Sequence, residues 1–302
     1  MKILRNKFNL KFTKDSILLI GNFDGLHRGH LSILNEAKKL SKKNNLKFGL
    51  LTFDPNPKEF FSKDKYFKII SNTEKENILS KNKLDFLIIL KFNKSLRNKR
   101  ADIFVKEILK SKISPSKIIV GKEFKFGKNR TGTPRLLKNY FNTKIANQKK
   151  ISGVKISSSQ IRKLIQAGKI TEANRLLGRN WSVIGNVNSG DKIGRELGYR
   201  TANLFINNCI QPSRGVYATR LYFNNKSYNG ISNFGIAPTI KLKKREVLET
   251  HLFRPVKSLY KKKVKIEFFK FIRKEKKFKT KKNLLDQIKK DIKSAKKTLK
   301  NV

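Results

Sequence analysis

The chain has three histidines, and two of them stand three residues apart in Gly21-Asn22-Phe23-Asp24-Gly25-Leu26-His27-Arg28-Gly29-His30. Three glycines in this segment let the backbone turn tightly and approach a ligand closely. Two imidazoles can donate hydrogen bonds to phosphate oxygens whose charge grows in a transition state. A single histidine usually has a structural role. Two of three histidines in one glycine-rich turn point to phosphate chemistry instead, and the absence of a terminal Gly-Lys-Ser/Thr excludes a Walker loop. The third histidine, His251, follows Glu249 by two residues in Leu248-Glu249-Thr250-His251-Leu252-Phe253. On a strand that spacing puts Glu249 and His251 on one face and Leu248 and Leu252 on the other. An acid beside a histidine in so basic a chain is a candidate functional pair. A third cluster, Ile156-Ser157-Ser158-Ser159-Gln160-Ile161-Arg162, offers hydroxyls, helix N–H groups and a planar guanidinium suited to phosphate. Taken alone, that cluster reads more simply as an N-cap followed by a surface charge.

The elements that must carry these residues differ along the chain. Ser16 to Ile20 is a short apolar run ending at Gly21, which predicts a buried parallel strand leading straight into the histidine segment. Leu31, Leu34, Ala37 and Lys38 then recur at helical spacing. Strand-like runs at 48–53, 86–90 and 117–120 and a helical run at 103–109 continue the alternation of a doubly wound α/β domain. Helices follow around Ile161, Leu164 and Ile165 and around Ala173, Leu176 and Leu177, the second stopped by Gly178. From Trp181 the pattern becomes short strands broken by Gly, Asn and Pro, at 183–187, 216–223, 228–233, 247–253 and 264–271, which predicts a small antiparallel barrel. The chain closes on an amphipathic helix with Leu284, Leu285, Ile288, Ile292, Ala295 and Leu299 on one face. A domain boundary near residue 180 follows, and no internal repeat is visible.

The 302 residues suffice for two domains, and 38% hydrophobic residues with 22 Phe can build cores. The net charge of +51 would suit a polyanion partner. The basic residues are scattered, however, and Lys, Asn, Ile and Phe are together read from A/T-rich codons, so compositional drift is the preferred explanation and nucleic-acid binding is expected to be weak and non-specific. Cys209 is the single cysteine, which excludes an intrachain disulfide and reads as an inert small side chain. No apolar run approaches a membrane span and no signal-peptide h-region is present, so a cytoplasmic location is expected.

The longer histidine segment, GNFDGxHxGH, resembles the HxGH signature of nucleotidyltransferases and, more closely, of bacterial FAD synthetases. Further segments resemble that family in order. Thr52-Phe53-Asp54-Pro55-Asn56-Pro57, with Phe61, resembles its flavin-side loop. Gly121-Lys122-Glu123-Phe124-Lys125-Phe126-Gly127 resembles its DFxFG segment, with Glu123 where Asp is commoner. The Ile156–Arg162 cluster resembles its ISSTxIR motif, which closes over a triphosphate. Downstream, Gly185 to Gly190 with Gly194 to Leu204 resembles the riboflavin kinase signature of a glycine-rich hairpin before a PTAN tetrapeptide. Gly215-Val216-Tyr217-Ala218, Asn233 to Thr239 and the Glu249 strand follow its pattern as well.

The resemblance implies a Rossmann-like α/β nucleotidyltransferase domain over residues 1–179, with FMN adenylyltransferase activity. It implies an antiparallel six-stranded β-barrel riboflavin kinase domain with a C-terminal helix over residues 180–302. ATP with Mg²⁺ and the flavins riboflavin, FMN and FAD are the implied substrates, cofactor and products. His27 and His30 would act in adenylyl transfer and Glu249 as general base of the kinase. Gly21, Asn22, Phe23, Asp24, Gly29, Ser158, Ser159, Arg162, Thr201 and Asn203 would bind ATP, the last two also the metal. Pro55, Pro57, Phe61, Phe124 and Phe126 would bind flavin. Two departures stand out: Arg200 replaces the Pro of PTAN, and Arg254 replaces the Asp after Phe253. Trp181 is expected to pack at the domain junction. The competing readings are an HxGH enzyme acting on a nicotinate or pantetheine nucleotide, and a nucleic-acid-binding protein.

Overall fold

The structure is a computed structural model that describes residues 1–147, 150–151, 154–189, 199–236, 246–256 and 258–300. The glycine-rich stretch through Gly194 and Gly198 and the segment Ala237-Pro238-Thr239 lie outside the described residues. Two compact units divide the chain: Met1–Asp64 with Asn72–Ser157, and Lys65–Ser71 with Ser158–Val302.

The first unit is a parallel sheet. Strands β1 (Lys2–Arg5), β2 (Ile17–Ile20), β3 (Phe48–Asp54), β4 (Phe86–Lys91), β5 (Lys117–Gly121) and β6 (Asn142–Ala146) lie in the order β1-β4-β3-β2-β5-β6. All five pairings are parallel. Every residue of β2 is buried, which is why its sequence is an unbroken apolar run. The helix Arg28–Lys43 follows β2 and buries Leu34 and Ala37, as the spacing predicts. Leu18, Ile20, Leu51 and Ile88 of the sheet pack with Phe104, Val105, Ile108 and Leu109. Those last four belong to a helix longer than the predicted one: it runs from Ala101–Ile103 into a π-helical stretch, Phe104–Ile113. The edge strands β1 and β6 were not anticipated. Both are largely solvent-exposed and polar, so neither carries the apolar run that marks β2 to β5. A small hairpin, β7 (Lys150–Ile151) and β8 (Val154–Lys155), completes this unit.

The second unit is a closed barrel. Strands β9 (Trp181–Asn188), β10 (Thr201–Leu204), β11 (Gly215–Phe223), β12 (Lys226–Ile236), β13 (Glu246–Leu252) and β14 (Lys263–Lys274) close in the order β10-β13-β12-β11-β14-β9, with every pairing antiparallel. The pattern of the sequence yields five of these strands. The sixth, β10, is only four residues long and begins at an exposed Thr201, too short for a periodicity to register. Trp181, Tyr217 and Phe268 are fully buried, with ring centroids 4.6 Å apart for Trp181–Phe268 and 5.2 Å for Tyr217–Phe268. Burial pushes the Tyr217 phenol above its ordinary range, so the hydroxyl stays protonated and donates to the carbonyl of Ser213. Three buried hydroxyls form a chain across adjacent strands, Thr219 to Ser232 at 2.7 Å and Ser232 to Thr250 at 2.8 Å, and so satisfy one another away from water.

Lys65–Ser71 packs with the barrel although it precedes it by more than a hundred residues. Trp181 Nε1 donates to Ile69 O at 2.8 Å and Ile210 N donates to Lys68 O at 2.7 Å, so Trp181 is a packing residue of this unit. Helices Ser158–Gln166 and Ile170–Leu177 also belong here, the second ending at Gly178 with φ 76°. The C-terminal helix Lys281–Lys300 covers the outer face of the barrel. Ala295 and Leu299 are buried there with Val216, Ala218, Ile231 and Phe269, whereas Leu284, Leu285, Ile288 and Ile292 are half-buried. Asp291, 4% exposed, is held by a two-pronged contact from Arg273 of β14 (Nε to Oδ2 2.9 Å, Nη2 to Oδ2 2.8 Å) and by Gln287 Nε2 at 2.8 Å. Among the described residues no helix is long and apolar enough to cross a membrane.

Candidate active sites

The first site forms at the carboxyl edge of the parallel sheet. β3 and β4 follow β2 on one side and β5 and β6 lie on the other, so the strand order reverses between β2 and β5. A crevice at such a reversal is where open α/β sheets bind ligands. The histidine segment leaves β2 at this point. Phe23 (φ 46°), Gly25 (φ 76°) and Leu26 (φ 41°) all take left-handed conformations, packing a sharp turn between the strand and the helix Arg28–Lys43. His27 is the N-cap of that helix, and its Nδ1 accepts from His30 N at 3.3 Å. With Nδ1 engaged as acceptor, the neutral ring carries its proton on Nε2, which is then a donor. His27 is 5% exposed and stacks on His30 at 3.7 Å with 16° between the rings; Phe23 lies 4.7 Å beyond His30. A Cβ on Gly29 would stand 3.1 Å from the His27 ring, so glycine there makes room for the stack. Asp24 is buried, and Asn22 Oδ1 is buried with no hydrogen-bond partner. The Asn22 carbonyl accepts from Lys75 Nζ at 2.8 Å and Thr52 Oγ1 at 3.2 Å.

The loops beside this turn carry the predicted flavin residues. β3 ends at Asp54, next to Pro55, and Pro57 opens the short helix Pro57–Ser62. Asn56 fixes that helix with a capping box: its side chain accepts from Lys58 N (3.0 Å), and Glu59 accepts from Asn56 N (3.1 Å). Pro55 lines a cavity of about 360 Å³ with Arg5, Asn6, Asp54, Ile89 and Lys91. Phe61 is 58% exposed, in edge contact with Phe60 and Phe92. Past β5, Phe124 is half-buried and stacks on Phe126 at 5.4 Å. Phe126 itself is 7% exposed and packs into the core 5.6 Å from Phe104, beneath Phe124. Gly127 (φ 73°) ends this segment, and a Cβ there would stand 2.6 Å from Ala101.

Ser158, Ser159 and Arg162 belong to the other compact unit, on the first two turns of Ser158–Gln166. Arg162 is not a solvated surface charge. Its Nε donates to Phe67 O at 2.8 Å and its guanidinium lies 3.9 Å over the Phe67 ring.

The second site is on the outer face of the barrel and is assembled by strand register. Asn203 of β10 and Asn233 of β12 stand on either side of Glu249 of β13 as direct cross-strand partners. Residues so paired project to one face, which puts a carboxylate between two amides. Leu248 and Thr250, the neighbours of Glu249, are fully buried on the opposite side. Asn203 is 6% exposed, and its Oδ1 has no hydrogen-bond partner. One step along, Thr201 pairs with His251. His251 Nδ1 must donate to the Arg200 carbonyl 3.0 Å away, and Tyr199 sits edge-on to the same ring at 5.1 Å. Arg200, in the place of the family's proline, therefore contributes its backbone to this row. Beyond it, a cavity of about 570 Å³ is lined by Arg220, Ser227, Tyr228, Asn229, Phe253, Arg254 and Lys296. Asn233 lies within a quoted motif, but nothing in its spacing reveals that it faces Glu249. Only the β12–β13 register does.

Comparisons with known proteins match both halves of the chain. The FAD synthetase family model matches residues 9–161 and the riboflavin kinase family model matches residues 177–299. A bifunctional riboflavin kinase/FMN adenylyltransferase of Buchnera aphidicola subsp. Schizaphis graminum is 39% identical, with 98% of each chain covered. Proteins of the same description from Bacillus subtilis (34% identical; 91% of this chain, 90% of the relative) and Haemophilus influenzae (31%; 98% of each) also match. A crystal structure from Streptococcus pneumoniae, described as a macrolide-efflux protein, superposes with a TM-score of 0.88 at 27% identity, covering 98% of this chain and 99% of that one. With both halves matched in order over nearly the full length, the chain belongs to the bifunctional riboflavin kinase/FMN adenylyltransferase family.

Proposed function

We propose that this chain converts riboflavin to FAD in two ATP-dependent steps, residues 180–302 acting as the kinase and residues 1–179 as the adenylyltransferase, with both reactions in the cytoplasm. The observation that carries the reading is the presence in one chain of two differently built polar clusters, each suited to phosphate chemistry: stacked histidines at a helix start, and a carboxylate between two amides on a barrel.

In the kinase step Glu249 accepts the proton of the riboflavin 5′-hydroxyl as its oxygen attacks the γ-phosphorus of ATP; the new P–O bond forms as the bond to ADP breaks. Thr201 and Asn203 would hold Mg²⁺ with ATP phosphates and water. The buried, unpartnered Asn203 Oδ1 suits a hard cation that takes oxygen ligands. When bound, the ion would neutralise phosphate charge. In the adenylyl step an FMN phosphate oxygen attacks the α-phosphorus of ATP and pyrophosphate leaves, with no covalent enzyme intermediate. His27 and His30 donate to the phosphate oxygens beside the positive end of the helix Arg28–Lys43, while Gly21, Asn22, Phe23, Asp24 and Gly29 shape the turn around ATP. Pro55, Pro57, Phe61 and Phe124 contact the flavin, with Phe126 supporting Phe124 from below. Ser158, Ser159 and Arg162 are assigned to the triphosphate on their motif alone. The charge of +51 is read as compositional, leaving at most a weak, salt-sensitive hold on nucleic acid.

A chromatographic product assay tests the proposal. Protein, ATP and Mg²⁺ are incubated with riboflavin in one tube and FMN in another. FAD in both tubes is the expected result. FAD from FMN alone would show that the kinase half is impaired, and FMN from riboflavin without FAD in either tube would refute the adenylyltransferase assignment.

A further inference from the structure

The carbonyl oxygen of Asn22 lies at the root of the histidine turn, and two side chains from distant parts of the same unit converge on it. Lys75 Nζ donates at 2.8 Å and Thr52 Oγ1 at 3.2 Å. Lys75 stands in the first turn of the helix Asn72–Lys81, which packs against Asp24–Leu26. The turn needs such a hold. Phe23 and Leu26 are non-glycine residues at positive φ, and such conformations persist only where the surroundings over-determine them. At its start the turn is anchored by Gly21 N donating to Leu51 O (3.1 Å), and at its end by the His27 cap. Between those anchors the Asn22 carbonyl is held from both β3 and the helix Asn72–Lys81. A hydrogen bond from an ammonium is roughly twice as strong as a neutral one, so Lys75 is the dominant of the two tethers.

We infer that Lys75 is a positioning residue for adenylyl transfer: by holding the Asn22 carbonyl it fixes the left-handed turn that presents His27 and His30 to the phosphates. The inference rests on the assignment of those histidines given above.

Four variants of the full chain test it, assayed for FMN-to-FAD conversion, with riboflavin phosphorylation by the same preparation as internal control. Lys75→Met is expected to lower kcat for FAD formation about 10- to 100-fold, the range a misplacement of about 1 Å produces, with ATP KM changed far less and the kinase rate unchanged. Lys75→Arg, which keeps a charged donor, should recover most of the loss. An unchanged kcat in Lys75→Met overturns the inference, and so does a rise in KM alone. So does a loss that Lys75→Arg fails to repair. If Lys75→Met unfolds, Lys75→Gln, which removes the ammonium but keeps a polar side chain, takes its place, and an unaltered kcat there overturns the inference instead. His30→Ala separates the two levels: if it leaves FAD formation intact the histidine assignment fails, whereas a slow His30→Ala beside a fully active Lys75→Met defeats only the role of Lys75.

Discussion

The two candidate sites are put together by opposite means. At the carboxyl edge of the parallel sheet, ten consecutive residues, Gly21 to His30, supply turn, cap and both histidines, and geometry is set by backbone conformation within that stretch. On the barrel, Asn203, Asn233 and Glu249 are dispersed along the chain and meet only through the registers β10–β13 and β12–β13. A contiguous site is vulnerable at single backbone positions. A site assembled by register is vulnerable to anything that loosens the sheet, because a slip of one residue turns every side chain to the other face.

The largest expected effect is Glu249→Gln, which should slow FMN formation about 10²- to 10⁴-fold, the usual worth of a general base, while FMN-to-FAD conversion continues. Loss of both activities in a folded variant would break the two-site comparison. His30→Ala should do the reverse, slowing FAD formation about 10²- to 10³-fold, in line with removal of one oxyanion donor, and stalling product at FMN. Asp291→Ala leaves Arg273 without its buried carboxylate and should cost about 3–5 kcal/mol of stability. Denaturant unfolding followed by the fluorescence of Trp181, the only tryptophan, would report this. An unchanged midpoint would show that the Arg273–Asp291 pair does not brace the barrel, leaving that role to the apolar contacts of Ala295 and Leu299. Gly29→Ala is the mildest. Crowding of the His27 ring should cost about 1–3 kcal/mol locally, seen as a slower adenylyl step with kinase activity intact; equal effects on both steps would contradict a turn that serves the adenylyl step alone.

The same contrast explains what the sequence disclosed. The histidine turn was legible residue by residue, since a fully buried central strand, a glycine-rich turn and a helical repeat are all local signals. The cap made by His27 Nδ1 was not, because histidine is no habitual N-cap and nothing in the spacing indicates its ring direction. On the barrel, alternation predicted that Glu249 and His251 share a face, but no pattern could tell that Asn203 and Asn233 flank Glu249. Asp291 went unread because one of two acids, with Asp286, among the lysines of Lys281–Lys300 looks like solvated surface until Arg273 is seen beside it. Lys75 is hidden more completely, as one of 72 basic residues.

Closure of the barrel has a consequence for how the protein survives at high concentration. A ring of strands offers no free strand edge for a second copy to extend, whereas the open sheet ends in β1 and β6, each with one side that pairs with no strand among the described residues. These two strands carry Lys2, Arg5 and Lys144, of which Arg5 and Lys144 pair with Glu76 and Glu36, and charged side chains along an edge discourage edge-to-edge pairing. That protection is electrostatic and fades within a Debye length, about 10 Å at 0.1 M salt and about 3 Å at 1 M. Fibril-like self-association is therefore expected to begin at Lys2–Arg5 and Asn142–Ala146, and to be promoted by salt, while the barrel takes no part in it.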